Sequence, residues 1–211
     1  MEPPYFSVHH RPMVSWGDYG HILQHGMGLM LPRRDGLMVL LRTGPYLPEI
    51  TFPGWPSFDS HGSGIVVVDS LRTALERSGL TGLGFQPVLK GRIVHLPWHE
   101  WDLNSDRPHL RPPGGEPANY ILEDAHSAET SDALGDLWEL VPRSIDWLER
   151  YVERNQDGQP IVRFRFVQSR CDNTDFFCVK PTATLLCSAQ AKKWAESRLS
   201  EWVSFSALLT V

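Results

Sequence analysis

Two stretches of this chain, 119 residues apart, read as the same strand–helix–strand unit, and that repeat constrains the fold more than any other feature. In the first copy Ile65-Val-Val-Val68 is a buried-strand run. Asp69 stands where a helix N-cap belongs, Leu71, Ala74, Leu75 and Ser78 keep helical spacing, and Gly79 is a natural stop. Leu83 to Val88 then returns as a strand. In the second copy Thr184-Leu-Leu-Cys187 is the strand and Ser188 the cap. Trp194, Ala195 and Leu199 hold the apolar helix face, and Trp202 to Leu208 returns. Val68 aligns with Cys187, Leu75 with Trp194 and Leu80 with Leu199; one inserted residue later, Phe85 aligns with Phe205 and Val88 with Leu208.

The expected fold class is therefore α+β: two degenerate strand–helix–strand units packed as pseudo-symmetric lobes of one compact domain. The N-terminal lobe, 1–115, would carry the first unit (65–88). An acidic connecting segment with a helix would span 116–157. The C-terminal lobe, 158–211, would carry the second unit (184–208). A strand-like run precedes each copy, Leu37–Leu41 in one and Ile161–Val167 in the other. Arg42-Thr43-Gly44-Pro45 reads as a turn after the first run, and residues 1–36 as an irregular or short-strand opening. Residues 44–64 read as an ordered loop pinned by its own rings. Between the copies Arg92–Leu96 reads as a strand. The spacing of Leu134, Leu137 and Leu140 predicts a short segment ending near Val141. Ile145, Leu148 and Val152 predict a helix from Ser144, as N-cap, to about Arg154. Asn155-Gln-Asp-Gly158 is a hairpin-type turn into the run that follows.

With 211 residues, 41% of them apolar and 21% charged, the chain can bury a sizeable core, so disorder is excluded. A net charge of −5 argues against a nucleic-acid-binding surface. Charge is uneven: residues 116–157 hold 11 acids and 3 bases, whereas 158–211 hold 4 acids and 7 bases. An acidic surface steers and docks a basic partner. The longest apolar runs are far too short to span a bilayer, and the first residues show no basic start and no apolar h-region. Together with three thiols, Cys171, Cys178 and Cys187, and no CxxC pair, this places the expected protein in the cytoplasm, with no membrane partner.

Catalytic patterns are incomplete. His21 and His25 have the i, i+4 spacing of a zinc pair, but Ile22 stands where a metalloprotease needs Glu, and glycines surround them. His95, His99, Glu100 and Asp102 cluster in sequence without a nucleophile elbow, since Gly62-Ser63-Gly64 lacks its spacing. No His follows the cysteines to activate a thiol, so they read as small buried hydrophobes. Gly26-Met-Gly28 lacks the third glycine of a dinucleotide fingerprint. No catalytic, cofactor or metal residue is therefore assigned, and the expected activity is binding, not enzymatic. The expected partner-binding residues are Trp98, Glu100, Trp101, Asp102, Glu123, Asp124 and Glu129: aromatic anchors beside acidic steering groups.

The stretch Leu40-Leu-Arg-Thr-Gly-Pro-Tyr-Leu-Pro48, the run Ile65–Ser70 and Ser78-Gly-Leu-Thr-Gly-Leu-Gly-Phe-Gln-Pro-Val88 resemble bacterial immunity proteins of polymorphic toxin systems, and among them the double-CxxCG family. The ending Ser188…Trp194…Phe205 is similar as well. The resemblance covers about half of the chain, and the CxxCG motifs, with the zinc they would imply, are absent. It implies a protein that binds a cognate toxin, such as a nuclease acting in the cytoplasm, and occludes its active site. The alternatives are a small metal-assisted hydrolase built on His95, His99, Glu100 and Asp102, and a secretion-system adaptor or chaperone.

Overall fold

The computed structural model describes residues 5–11, 28–44, 48–51, 64–96, 102, 118–145, 148–154, 157–166, 173–179 and 184–208. These residues form a mixed α+β structure made mostly of strands, with four short helices. None of the helices is long and apolar enough to cross a membrane. The chain divides into two units, neither contiguous in sequence. The larger comprises His10–Gly79 and Gly84–Val141; the smaller comprises Met1–His9, Leu80–Leu83 and Pro142–Val211.

In the larger unit, β2 (Gly28–Arg34) and β3 (Leu37–Gly44) form a hairpin. Asp35 and Gly36, both at positive φ, make the two-residue turn that suits the twist of such a pair. The other edge of β3 takes β7 (Leu89–His95) in parallel. A second sheet contains β4 (Ile50–Thr51), β5 (Val66–Val68), β6 (Leu83–Pro87) and β8 (Leu137–Ile145), the last two strands extending into the smaller unit. Helix α1 (Asp69–Arg77) joins β5 to β6. Met38 and Leu40 from β3 pack with Val66, Val88 and Leu137 in one buried layer. Roughly 2 kcal/mol per buried side chain of this size stabilises that layer.

In the smaller unit, β11 (Phe176–Val179), β12 (Thr184–Ser188), β1 (Tyr5–His10) and β13 (Val203–Ala207) lie side by side, with the end of β8 parallel to β11. Helix α4 (Ala189–Leu199) joins β12 to β13 and buries Ala191, Ala195 and Leu199. Two alanines let the helix backbone come close to what it covers; Trp194 is only half-buried. The Tyr5 and Phe177 rings meet edge to face, centroids 5.5 Å apart, in a core with Ile145 and Leu186. A separate antiparallel pair is made by β9 (Leu148–Arg154) and β10 (Pro160–Phe166), with Pro160 opposite Arg154 and Phe166 opposite Leu148.

Each strand–helix–strand motif therefore sits mainly in its own unit, and both have one local topology. Strands β5 and β6 do not pair with each other. Leu140 N–H reaches Ile65 O while Leu137 O accepts from Val88 N–H, so β5 and β6 occupy opposite edges of β8. Likewise β1 lies between β12 and β13. Leu137 stands opposite Val68, and Phe6 stands opposite Cys187. A cation from the first turns of each helix lies over a ring of the inserted strand: Arg72 is 4.5 Å from the Trp138 centroid and Lys192 5.1 Å from that of Phe6. Phe85 and Phe205 each take the third position of their return strand.

Several expectations need correction. No helix runs from Ser144 to Arg154; β8 extends to Ile145 and β9 begins at Leu148. Likewise, no segment ends near Val141, because β8 continues through Pro142. The helices of the acidic segment lie earlier, as α2 (Ala118–Glu123) and α3 (Ala128–Ala133). Asp69 is the first residue of α1, not its cap. The cap position is Val68, which has no side-chain bond to offer, and the Asp69 carboxylate instead accepts from Arg72 and from Trp138 Nε1. Ser188 does cap α4, accepting from Ala191 N–H at 3.1 Å. Arg42 to Gly44 continue β3 and do not turn.

The thiols behave as small hydrophobes. Burial pushes Cys187 and Cys178 up to about 12. At about pH 8 their thiolate fraction falls by some three orders of magnitude relative to a free cysteine. Iodoacetamide should therefore leave both unmodified in the native protein and alkylate both in urea, as read by peptide mass mapping. Rapid native labelling of Cys187 would contradict the burial.

Candidate partner-binding face

In the larger unit, β7 holds the acidic segment by four kinds of bond. Ile93 donates its N–H to His126 Nδ1 at 3.0 Å and accepts from Ser127 N–H at 2.7 Å. Arg92 Nη1 donates to the carbonyls of Ile121 and Leu122 at the end of α2. Lys90 Nζ donates to Ser131 O and Gly135 O at the end of α3. His95 Nδ1 lies 3.1 Å from Thr130 Oγ1. Cations on the last carbonyls of a helix complement its dipole and its unpaired acceptors. Ser127 Oγ caps the start of α3 through Thr130 N–H. Ile121, Thr130, Ser131 and Leu134 are consequently buried.

The basic groups of β7 are thus spent inward, and the outward side is acidic. Residues 118–136 carry five carboxylates and no Lys or Arg. Glu123, Glu129, Asp132 and Asp136 are exposed and Asp124 is half-buried. Among them Leu122 is 53% exposed, one of only two large hydrophobics so exposed among the described residues. An apolar anchor within a carboxylate surface can dock a basic partner: the charges steer and the side chain is desolvated on contact.

Of the expected binding residues, the structure brings Glu123, Asp124 and Glu129 onto this face. Asp102 is exposed, and Trp98, Glu100 and Trp101 lie outside the described residues. Sequence reasoning missed Leu122, Asp132, Asp136 and the docking roles of Lys90, Arg92 and His126. The one available signal was Ser127 three residues before Thr130, a cap pattern masked by the leucine spacing that followed.

The hydrolase alternative gains nothing here. His95 is engaged with Thr130, and His99 and Glu100 lie outside the described residues, as do His21, His25, Gly26, Gly62, Ser63 and Cys171. Among the described residues no group of three or more His, Cys, Asp or Glu could hold a metal ion. In the smaller unit Ser7 Oγ and His9 Nε2 are 2.8 Å apart. Ser7 is buried and its hydroxyl also reaches Ser206 O. A nucleophile–base pair needs a third group to orient the imidazole, and none bonds His9 among the described residues. Comparison with protein-family models, curated proteins and solved structures finds no match.

Proposed function

We propose that this chain is an immunity protein, which binds a cognate bacterial toxin in the cytoplasm and occludes its active site without chemistry of its own. The observation that carries the reading is the outward face of α2 and α3, where Leu122 stands among exposed carboxylates while the nearby cations are used to dock the segment. A toxin that acts on nucleic acid presents a basic surface, and such a face competes with its substrate for it. The resemblance at 40–48, 65–70 and 78–88 supports the same class. We read the two motifs as degenerate copies, the lobes of a duplicated scaffold; their common strand order supports that reading.

The test is growth rescue on co-expression with the toxin encoded in the neighbouring reading frame. The wild-type chain should restore growth and co-purify with the toxin. The triple reversal E123K/D124K/E129K should fold but weaken the complex at least about tenfold, with the deficit shrinking as salt rises. Rescue and affinity both unchanged in the triple variant would refute this face. Binding without rescue would instead identify an adaptor or chaperone.

A further inference from the structure

Ile93 lies on β7 with its N–H and C=O on the edge opposite β3, since Leu96 N–H on the other parity bonds Gly44 O. That edge is covered at Ile93 by two bonds, from Ile93 N–H to His126 Nδ1 and from Ser127 N–H to Ile93 O. A strand edge left open is a site for unwanted pairing, so this cover has consequences beyond local order. The first bond can exist in only one protonation state. A backbone N–H can be received only by a ring nitrogen with a free lone pair, so Nδ1 carries no proton and Nε2 carries it. The imidazolium has two N–H groups and no acceptor. His126 is exposed, so solvent protons reach it directly, whereas Ile93 is completely buried and has no water to turn to.

We propose that His126 is an acid-sensitive latch: the neutral ring accepts the buried Ile93 N–H at the edge of β7, and proton uptake opens that one tie while the other bonds keep the α2–α3 segment docked. Among the described residues, the charged and titratable groups on the elements around it are Lys90, Arg92 and His95 on β7, Glu123 and Asp124 at the end of α2, and Glu129 and Asp132 on α3. Arg92 and Lys90 are fixed on the α2 and α3 carbonyls. An ordinary imidazole exchanges its free lone pair for a proton between about pH 7.5 and about pH 5. His95 can accept from or donate to the Thr130 hydroxyl in either form, so its bond survives protonation. The bond to Ile93 alone is lost. This inference concerns how the segment is held and stands whether or not its outer face binds a toxin.

Amide hydrogen exchange of Ile93, corrected for intrinsic rates, tests the latch at about pH 7.5 and about pH 5. The protection of Ile93 should fall about tenfold in acid, because a buried donor loses its acceptor. In H126N the amide oxygen can take the place of Nδ1 without titrating, so protection should stay within about twofold across that range. Equal protection of Ile93 at both pH values in the wild type overturns the proposal, and so does an equal acid loss in H126N. Should H126N fail to fold, the nitrogen chemical shift of His126 Nδ1 in the wild type decides. Gain of a proton there together with loss of Ile93 protection supports the latch; an Nδ1 still bare at about pH 5 refutes it.

Discussion

Replacing Glu139 by Gln is expected to cost the fold about 3 kcal/mol or more, although the two side chains have nearly the same shape. Glu139 on β8 is completely buried. Register places it in one row with Val66 on β5 and Thr51 on β4, so all three belong to the same face of their sheet. Onto that face comes β3, whose alternation sets Met38, Leu40 and Arg42 on one side. Arg42 is also completely buried, and its Nη1 donates to Thr51 Oγ1 at 2.7 Å. Burial pulls its guanidinium down to about 9, which still leaves a cation at neutral pH. A single layer of the larger unit thus encloses a guanidinium and a carboxyl group. Removing either alone leaves the other in a medium that solvates it poorly, whereas removing both relieves the layer of buried polar groups altogether. Urea denaturation at neutral pH should therefore find E139Q and R42M each strongly destabilised, and R42M/E139L less so than the sum of the single changes. Additivity to within about 0.5 kcal/mol would show that the two groups do not act on each other.

The same residues show why part of the fold could be read in the sequence and part could not. The strands and helices at 65–88 and 184–208 were legible because each motif is local: an apolar run, a helical period, a stop at Gly79 or a cap at Ser188. What lies between the two parallel strands was not legible, because the inserted strands β1 and β8 come from far away in the chain and nothing in the composition of β5 or β12 names them. Strand β8 was read only as a short segment ending near Val141, with a helix from Ser144, for a definite reason. Leu137, Glu139, Leu140 and Pro142 are all buried, so both sides of the strand are covered and the alternation that marks a half-exposed strand is gone. Leu134, Leu137 and Leu140 then mimic a helical period by accident. Arg42 failed in a similar way: a charged residue before Thr-Gly-Pro suggests a turn, and a distant partner such as Thr51, which the local sequence does not name, lets it sit in the core. The acidic face was half visible. Its charge could be counted, but which side faced outward depended on Lys90 and Arg92 reaching the helix ends.

Replacing Asp175 by Ala should cost about 3 kcal/mol, the second-largest effect expected of any single change here. Asp175 is 9% exposed and satisfies three donors at once. Its Oδ2 accepts from the backbone N–H of Thr81 at 2.9 Å and from the Thr81 hydroxyl at 3.1 Å; its Oδ1 accepts from the Ser188 hydroxyl at 2.7 Å. Ser188 in turn caps α4, so the carboxylate orients the hydroxyl that holds the helix start. The backbone joins in: Phe176 N–H reaches Thr81 O, and Ser188 N–H reaches Asp175 O. Gly82 completes the approach, with φ +87° and no room for a Cβ, which would fall 2.1 Å from Phe176 O. One side chain thereby ties residues 81–82, the start of β11 and the helix of the second motif together within the smaller unit. The Gly79-Leu-Thr-Gly82 stretch is thus a structural knot, and its Thr and second Gly are there to meet Asp175 and Phe176. If that is right, S188A should lose about 1 kcal/mol alone and clearly less when Asp175 is already Ala, since the oriented hydroxyl is then gone. A D175A protein with a urea midpoint close to that of the wild type would mean that solvent replaces all three bonds, and the knot would not be what holds this unit together.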